Sequence, residues 1–239
     1  MRRSSVFLFD KDYSSYILAH ACGAEYYDIL GEGDRPLSFY PLAMLDTLAD
    51  RVWAQEWLEI LLMLQGVHAT PGQRKALCRA LELLAASPSR TLTDLVNTLQ
   101  DHQLRDGLNH YTLAGGLGGL LDAADDSLGL GAFQVFEIGH LMNLGEKNLV
   151  PILLYLFRRV ERRLREERPS LLIIEEAWIT ALNTTFGQKA EEWLRTLRKK
   201  NTAGRPRQPE PCRRRRLEPA RHHPGVVSHE DLPAESRSR

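Results

Sequence analysis

Three short apolar runs mark the chain, and each closes on acidic residues. Val6-Phe7-Leu8-Phe9 precedes Asp10-Lys11-Asp12. Phe133-Gln134-Val135-Phe136-Glu137-Ile138 contains Glu137 near its end. Leu171-Leu172-Ile173-Ile174 runs directly into Glu175-Glu176. Runs without polar alternation predict strands buried on both faces, as parallel sheets require. The third run dominates the pattern. A helix-period segment over 149–165, with Val150, Leu153, Leu154, Leu156, Phe157, Val160 and Leu164, leads into it after Pro169. Strand, helix, strand in that order predicts a right-handed parallel crossover. Shorter elements fill in around this frame. Residues 14–22 read as a helix with Ile17, Leu18 and Ala21 on one side and Gly23 as its stop. Glu25-Tyr26-Tyr27-Asp28-Ile29-Leu30 reads as a short strand, and 31–36 as a loop.

Residues 40–110 form a helical block. Leu42, Leu45, Leu48, Val52, Trp57, Leu58, Leu61, Leu62 and Leu64 recur at intervals of three and four. Thr70-Pro71 with Gln73 opens a new helix, Ser87-Pro88 ends it, and Thr91-Leu92-Thr93-Asp94 opens another. Trp53 and Trp57, one turn apart, read as core or as a helix–helix seam. A last helix is predicted over 186–200 with Ala190, Trp193, Leu194 and Leu197. A strand is due next, yet periodicity stops at Gly204 and none is expected there.

Composition fits a soluble globular class, with 43% apolar and 26% charged residues among 239. Net charge is zero but unevenly placed: residues 204–239 hold nine Arg against five acids, and six of the 12 prolines. Arg213-Arg214-Arg215-Arg216 suits a nucleic-acid or acidic surface, or a disordered extension; the abrupt break favours a tail foreign to the fold, such as a frame shift produces. Cys22, Cys78 and Cys212 lack metal-ligand spacing, which points to a reduced compartment. His68, His102 and His110 show no metal spacing either. The start is too short in apolar residues for a signal peptide.

The candidate chemistry lies at the strand ends. Ligands of open α/β sheets bind outside the carboxyl ends of the strands. A nucleotide hydrolase needs one acidic group there to hold Mg²⁺ and a second to orient the attacking water. Glu175 suits the first role and Glu176 the second, against the plainer alternative of a strand ending in a solvated acidic turn. Asp10 and Glu137, at neighbouring strand ends, line the same cleft, or Asp10 caps the following helix. Gly115-Gly116-Leu117-Gly118-Gly119 lacks a following Lys-Ser or Lys-Thr and reads as a turn rather than a phosphate loop. Arg158, Arg159, Arg162, Arg163 and Arg165 cluster at a helix end, where cations offset the dipole; a nucleic-acid patch is the alternative.

Four blocks carry a family resemblance: Phe7-Leu8-Phe9-Asp10-Lys11-Asp12-Tyr13-Ser14, Gln134-Val135-Phe136-Glu137-Ile138-Gly139-His140-Leu141, Ser170 through Trp178, and Leu194-Arg195-Thr196-Leu197-Arg198-Lys199-Lys200-Asn201. In order and spacing, over about residues 5–202, they resemble the ATPase domain of TrbE-like conjugal transfer ATPases, the mating-pore ATPases of type IV secretion systems. The resemblance implies an α/β RecA-like P-loop core, residues 1–203, with the helical block inserted and a disordered tail over 204–239. It implies ATP and Mg²⁺ as ligands, Glu175 at the metal, Glu176 orienting water, and Arg198 as an arginine finger across a subunit boundary, with a solvated helix end as the plainer reading of Arg198. The family's usual Asp-Glu is here Glu175-Glu176, one methylene longer at the metal position. The family's Gly-x-x-x-x-Gly-Lys-Ser/Thr loop is expected shortly before Val6, so the chain is expected to be truncated ahead of it. The Thr-Gln-Ser sensor expected after Asn201 is not in the sequence. The family works as a homo-hexamer with other secretion subunits, at the cytoplasmic face of the bacterial inner membrane, moving DNA or protein cargo indirectly. A fragment of such an ATPase is therefore expected, with little or no turnover by itself; the alternatives are an inactive remnant or subunit-interaction module, and, on the arginine clusters alone, a DNA-binding regulator.

Overall fold

The computed structural model describes residues 4–31, 36–164, 170–175 and 202–207, with Glu175 and 202–207 as backbone only. The chain divides into a unit Met1–Pro209 and a unit Glu210–Arg239, and all described residues lie in the first. Glu176 and Arg198, and the helix expected over 186–200, lie outside the described residues.

Among the described residues five strands form one parallel sheet: β1 (Ser5–Asp10), β2 (Glu25–Asp28), β3 (Phe133–Glu137), β4 (Ser170–Glu175) and β5 (Thr202–Arg207), in the order β2-β3-β1-β4-β5. The three apolar runs are thus adjacent central strands. In register, Phe9 pairs with Phe136 on one side and Ile174 on the other. β5 corrects the expectation that no strand follows residue 200. Thr202 pairs with Ser170 and Arg207 with Glu175. An edge strand needs hydrogen bonds on one side only, so it tolerates Pro206 and flanking arginines that a central strand would not.

The described residues pack the two faces of the sheet unequally. On the first, Phe7, Phe9, Tyr27, Phe136, Leu172 and Ile174 join the main core. The helices α2 (Leu48–Leu64), α3 (Pro71–Ala85), α4 (Leu92–Thr98), α5 (His102–Asn109), α6 (Gly118–Leu121) and α8 (Glu146–Leu164) supply the rest of it. On the second face, Leu8 and Val135 meet Ala19 of the short α1 (Tyr16–Ala21), with Tyr26, Phe133 and Ile173 half-buried around them. Right-handed crossovers explain the division. The steps from β2 to β3 and from β3 to β4 run one way across the sheet, and the step from β1 to β2 runs the other way.

The helical block forms as its capping residues dictate. Thr70 Oγ1 accepts from the Gln73 amide and the Gln73 side chain accepts from the Thr70 amide at 2.9 Å, a closed capping box with Pro71 at the first turn. Thr91 and Asp94 repeat the device on α4. The block is tied to α8 by polar groups as well as by packing. Pro151 lies inside α8 and has no N–H, so the Lys147 carbonyl four residues earlier loses its helical donor. The Tyr111 hydroxyl donates to it instead, at 3.1 Å. Trp57 Nε1 donates to the Pro151 carbonyl at 3.1 Å. Trp53 and Trp57 stack at 5.8 Å, with the Arg158 guanidinium 5.5 Å above Trp53. Asp50, buried, accepts from Arg158 at 2.7 Å and Arg162 at 3.0 Å. The seam expected of the tryptophans is therefore the joint between the block and the helix that delivers β4.

The site at the carboxyl edge of the sheet

Strand register brings the predicted acids together. Asp10 pairs with Glu137, and Glu137 with Asp28. Glu175 follows Ile174, the partner of Phe9, so it stands level with Asp10. Four acidic positions, Asp28, Glu137, Asp10 and Glu175, therefore occupy one rung on four neighbouring strands. Asp28 was missed as a candidate, although it carries the signal that marked Asp10: an acid closing a short apolar strand.

Asp10 and Glu137 are both fully buried, and each is engaged by the turn that follows its strand. Asp10 accepts from the Ser15 amide at 2.8 Å and the Ser15 hydroxyl at 3.2 Å, and from the Ser14 hydroxyl. It thereby ties the end of β1 to the residues that open α1, whose N-cap is Ser15. Glu137 accepts from the Tyr13 amide at 3.0 Å and the Gly139 amide at 2.7 Å, tying the β1–α1 turn to the turn after β3, which leads into α7 (Gly139–Met142). A Cβ at residue 139 would lie 2.7 Å from Glu137 Oε1, so any larger residue there must push the carboxylate aside. Burial raises the Glu137 carboxyl above its ordinary value, the Gly139 and Tyr13 amides pull it back, and the neighbouring Asp10 pushes it up again.

The β1–α1 turn is strained. Asp12 and Tyr13 take φ of +60° and +58°, left-handed conformations that cost non-glycine residues about 1 kcal/mol or more each. The Tyr13 hydroxyl donates to Asp28 at 2.7 Å and lies 2.9 Å from His140 Nε2. Asp28 Oδ1 and the Tyr26 hydroxyl are buried without a hydrogen-bond partner among the described residues. Burial and the carboxylates of Glu137, Asp10 and Asp28 push the Tyr26 hydroxyl strongly upward, so it stays protonated.

The glycine-rich stretch behaves as a turn. It follows α5, and a Cβ at Gly115 or Gly118 would collide with the backbone of Asn109 or Thr112. Its glycines serve a close chain crossing. Among the described residues, no three His, Cys, Asp or Glu side chains are grouped to hold a metal ion. The 239 residues contain no Gly-x-x-x-x-Gly-Lys-Ser/Thr segment. The described side chains do not by themselves make up a complete Mg²⁺–nucleotide site. Asp10 and Glu137 are occupied in holding turns, and none of the described residues cradles a phosphate. No helix among the described residues is long and apolar enough to cross a membrane.

A parallel sheet with helices on its faces and an acidic row at its carboxyl edge defines the class: an α/β fold of the RecA-like kind. VirB4 of Thermoanaerobacter pseudethanolicus shares the fold, with a TM-score of 0.57 at 18% identity, over 84% of this chain and 86% of that one. Within that class, the sequence is similar to the TrbE conjugal transfer proteins, which bears out the resemblance read from its four blocks. A probable conjugal transfer protein TrbE of Sinorhizobium fredii is 48% identical over 204 residues, and conjugal transfer protein TrbE of Rhizobium radiobacter is 48% identical over 205. Each match takes in 84% of this chain, which spans only 31% and 25% of those relatives' lengths. No protein-family profile matches the chain.

Proposed function

We propose that this chain carries the acidic edge of an ATPase core that energises conjugative DNA transfer or type IV secretion. The observation that supports this most directly is the placement of β4. It lies between β1 and β5 and delivers Glu175 level with Asp10, at the edge where nucleotides bind in such sheets. In this reading Glu175 is the metal position, Glu176 orients the attacking water, and Arg198 reaches a neighbouring subunit's nucleotide. Asp10 and Glu137 shape the turns that flank the site. ATP with Mg²⁺ is the ligand, and the site is completed by a phosphate loop outside these 239 residues. The machine is a homo-hexamer with other secretion subunits, docked on the cytoplasmic face of the inner membrane.

The test is Mg²⁺-dependent ATP turnover by the purified chain supplied with a segment that carries the phosphate loop, before and after Glu176→Gln. Turnover that disappears in Glu176→Gln supports the assignment; turnover that persists unchanged refutes it. The missing Gly-x-x-x-x-Gly-Lys-Ser/Thr segment favours a second reading, a subunit-interaction module without catalysis. Under that reading, a fluorescent ATP analogue with Mg²⁺ shows no saturable binding at high micromolar concentration.

A further inference from the structure

We propose that the corner where the ends of β2 and β3 meet the β1–α1 turn docks an arginine of another protein, held among tyrosine rings on the Asp28 carboxylate. The corner stands apart from the chemistry proposed for the end of β4. Asp28 and Glu175 close strands three spacings apart, about 14 Å.

Aromatic rings gather at this corner outside the main core. Tyr16 meets Tyr26 at 5.2 Å and His20 at 4.3 Å between ring centres. Tyr13 lies 6.5 Å from Tyr16 and 6.1 Å from His140. Yet Tyr13 is 41% exposed and Tyr16 45%. Tyrosine offers a large apolar face at little entropic cost and is a frequent anchor of protein interfaces. The charge around the rings is negative. Asp28 shares its rung with Glu137 and Asp10, and the Asp12 side chain is 79% exposed. Lys11 pairs loosely with Asp12, at 3.9 Å. Ring faces and carboxylates together attract a cation and repel a nucleic-acid backbone.

The Asp28 carboxylate says which cation fits. Oδ2 accepts from the Tyr13 hydroxyl at 2.7 Å, whereas Oδ1 is buried with no partner among the described residues. Two parallel N–H groups of a guanidinium serve both oxygens of one carboxylate, which the point charge of an ammonium does not. Two light neighbours flank Asp28. One is the Tyr13 side chain, on a left-handed backbone with φ of +58°. The other is Gly31, where a Cβ would collide with the carboxylate. An arginine that displaces the Tyr13 hydroxyl takes Oδ1 and Oδ2 together, with its plane against the Tyr13 and Tyr16 rings. The Tyr13 hydroxyl, 2.9 Å from His140 Nε2, turns to that partner. The Tyr26 hydroxyl is also buried without a partner among the described residues, and it is held protonated. It then donates to a backbone carbonyl of the incoming segment. Among the described strands β2 has a neighbour on the β3 side alone, so the segment approaches along its outer flank.

The experiment titrates the purified chain, without nucleotide, with the peptide acetyl-Leu-Arg-Leu-amide. Its citrulline counterpart, which puts an uncharged urea of the same shape in place of the guanidinium, is the control. Binding is followed by the amide resonances of the chain in heteronuclear NMR spectra. The expected result is saturable shifts at Tyr13, Asp28 and Gly31, with a dissociation constant of about 1 mM or tighter, and about tenfold weaker binding of the citrulline peptide. Asp28→Asn should weaken the arginine peptide by about tenfold. Tyr16→Ala, at a position too exposed to disturb the sheet, should weaken it by about fivefold with the unfolding midpoint unchanged. No saturable shift at these amides overturns the proposal, as does equal binding of the citrulline peptide or binding indifferent to both variants. Self-association of the chain that Asp28→Asn abolishes would assign the corner to a second copy and overturns it too. None of these readouts involves ATP, so the nucleotide reading stands or falls separately.

Discussion

The joint between the helical block and α8 can be tested by restoring the hydrogen bond that Pro151 deletes. The Lys147 carbonyl is served by the Tyr111 hydroxyl only because residue 151 has no N–H. Tyr111→Phe removes that donor and also leaves Gln65 Nε2, 3.1 Å from the hydroxyl, without its acceptor. Tyr111 is fully buried, so two groups lose partners in a poorly solvated place. One net hydrogen bond is worth about 1 kcal/mol, and a stranded polar group costs about 1–3 kcal/mol. The expected destabilisation is about 2 kcal/mol. In a Pro151→Ala background the alanine amide can reach the Lys147 carbonyl, so Tyr111→Phe should then cost about 1 kcal/mol less. The assay is urea unfolding of the four proteins of the cycle, followed by far-ultraviolet circular dichroism. An equal cost of Tyr111→Phe in both backgrounds would refute the reasoning, because it would mean that the hydroxyl does not stand in for the missing amide.

Three further outcomes follow from the site and the joint. Gly139→Ala places a methyl 2.7 Å from Glu137 Oε1 and should destabilise by about 1–3 kcal/mol, with increased exchange of the Tyr13 amide as the specific sign. Glu137 has a raised folded pKa, so its protonated form is favoured by folding; the stability it contributes is complete below the ordinary carboxyl value of 4.5 and is lost as pH rises through the folded value. Unfolding free energies measured upward from pH 4 should show this decline in the native chain and lack it in Glu137→Gln. Asp50 has the opposite sign: burial works to raise its carboxyl, but Thr47, Arg158 and Arg162 outweigh it and hold it below the ordinary 3.8. Its contribution is present above that value and fades as pH falls through the folded value, and Asp50→Asn should cost about 2 kcal/mol at neutral pH, because Arg158 keeps Glu161 but loses its charged partner on α2, read from the urea midpoint.

The regions of the fold that could be read in advance are those where local pattern and tertiary setting agree. Val6-Phe7-Leu8-Phe9 and Leu171-Leu172-Ile173-Ile174 lie on central strands, where an unbroken apolar run is the only workable composition. Thr70, Pro71 and Gln73 announced the start of α3 because a capping box is local chemistry. β5 could not be read that way. Thr202-Ala203-Gly204-Arg205-Pro206-Arg207 has no apolar run, and what makes it a strand is the β4 backbone beside it, with Thr202 paired to Ser170 and Arg207 to Glu175. An edge strand asks little of its side chains, so its sequence says little.

The site divides along the same line. Asp10, Glu137 and Glu175 were legible as acids at strand ends, and the register sets them on one rung. What the pattern could not show is that burial changes what two of them are free to do. A fully buried carboxylate must find donors, and the nearest are the amides of the turn that follows its strand. Asp10 takes Ser15 and Glu137 takes Tyr13 and Gly139. Those bonds hold Asp12 and Tyr13 in left-handed geometry that neither residue would choose by itself. The two acids therefore give shape to the carboxyl edge, and the chemistry proposed for that edge falls to the pair that closes β4. The division is testable as a contrast. Glu137→Gln keeps a carbonyl acceptor for the Tyr13 and Gly139 amides and should leave any turnover largely intact, whereas Glu176→Gln should abolish it. Equal losses in the two variants would mean that the Glu137 carboxylate acts in the chemistry itself.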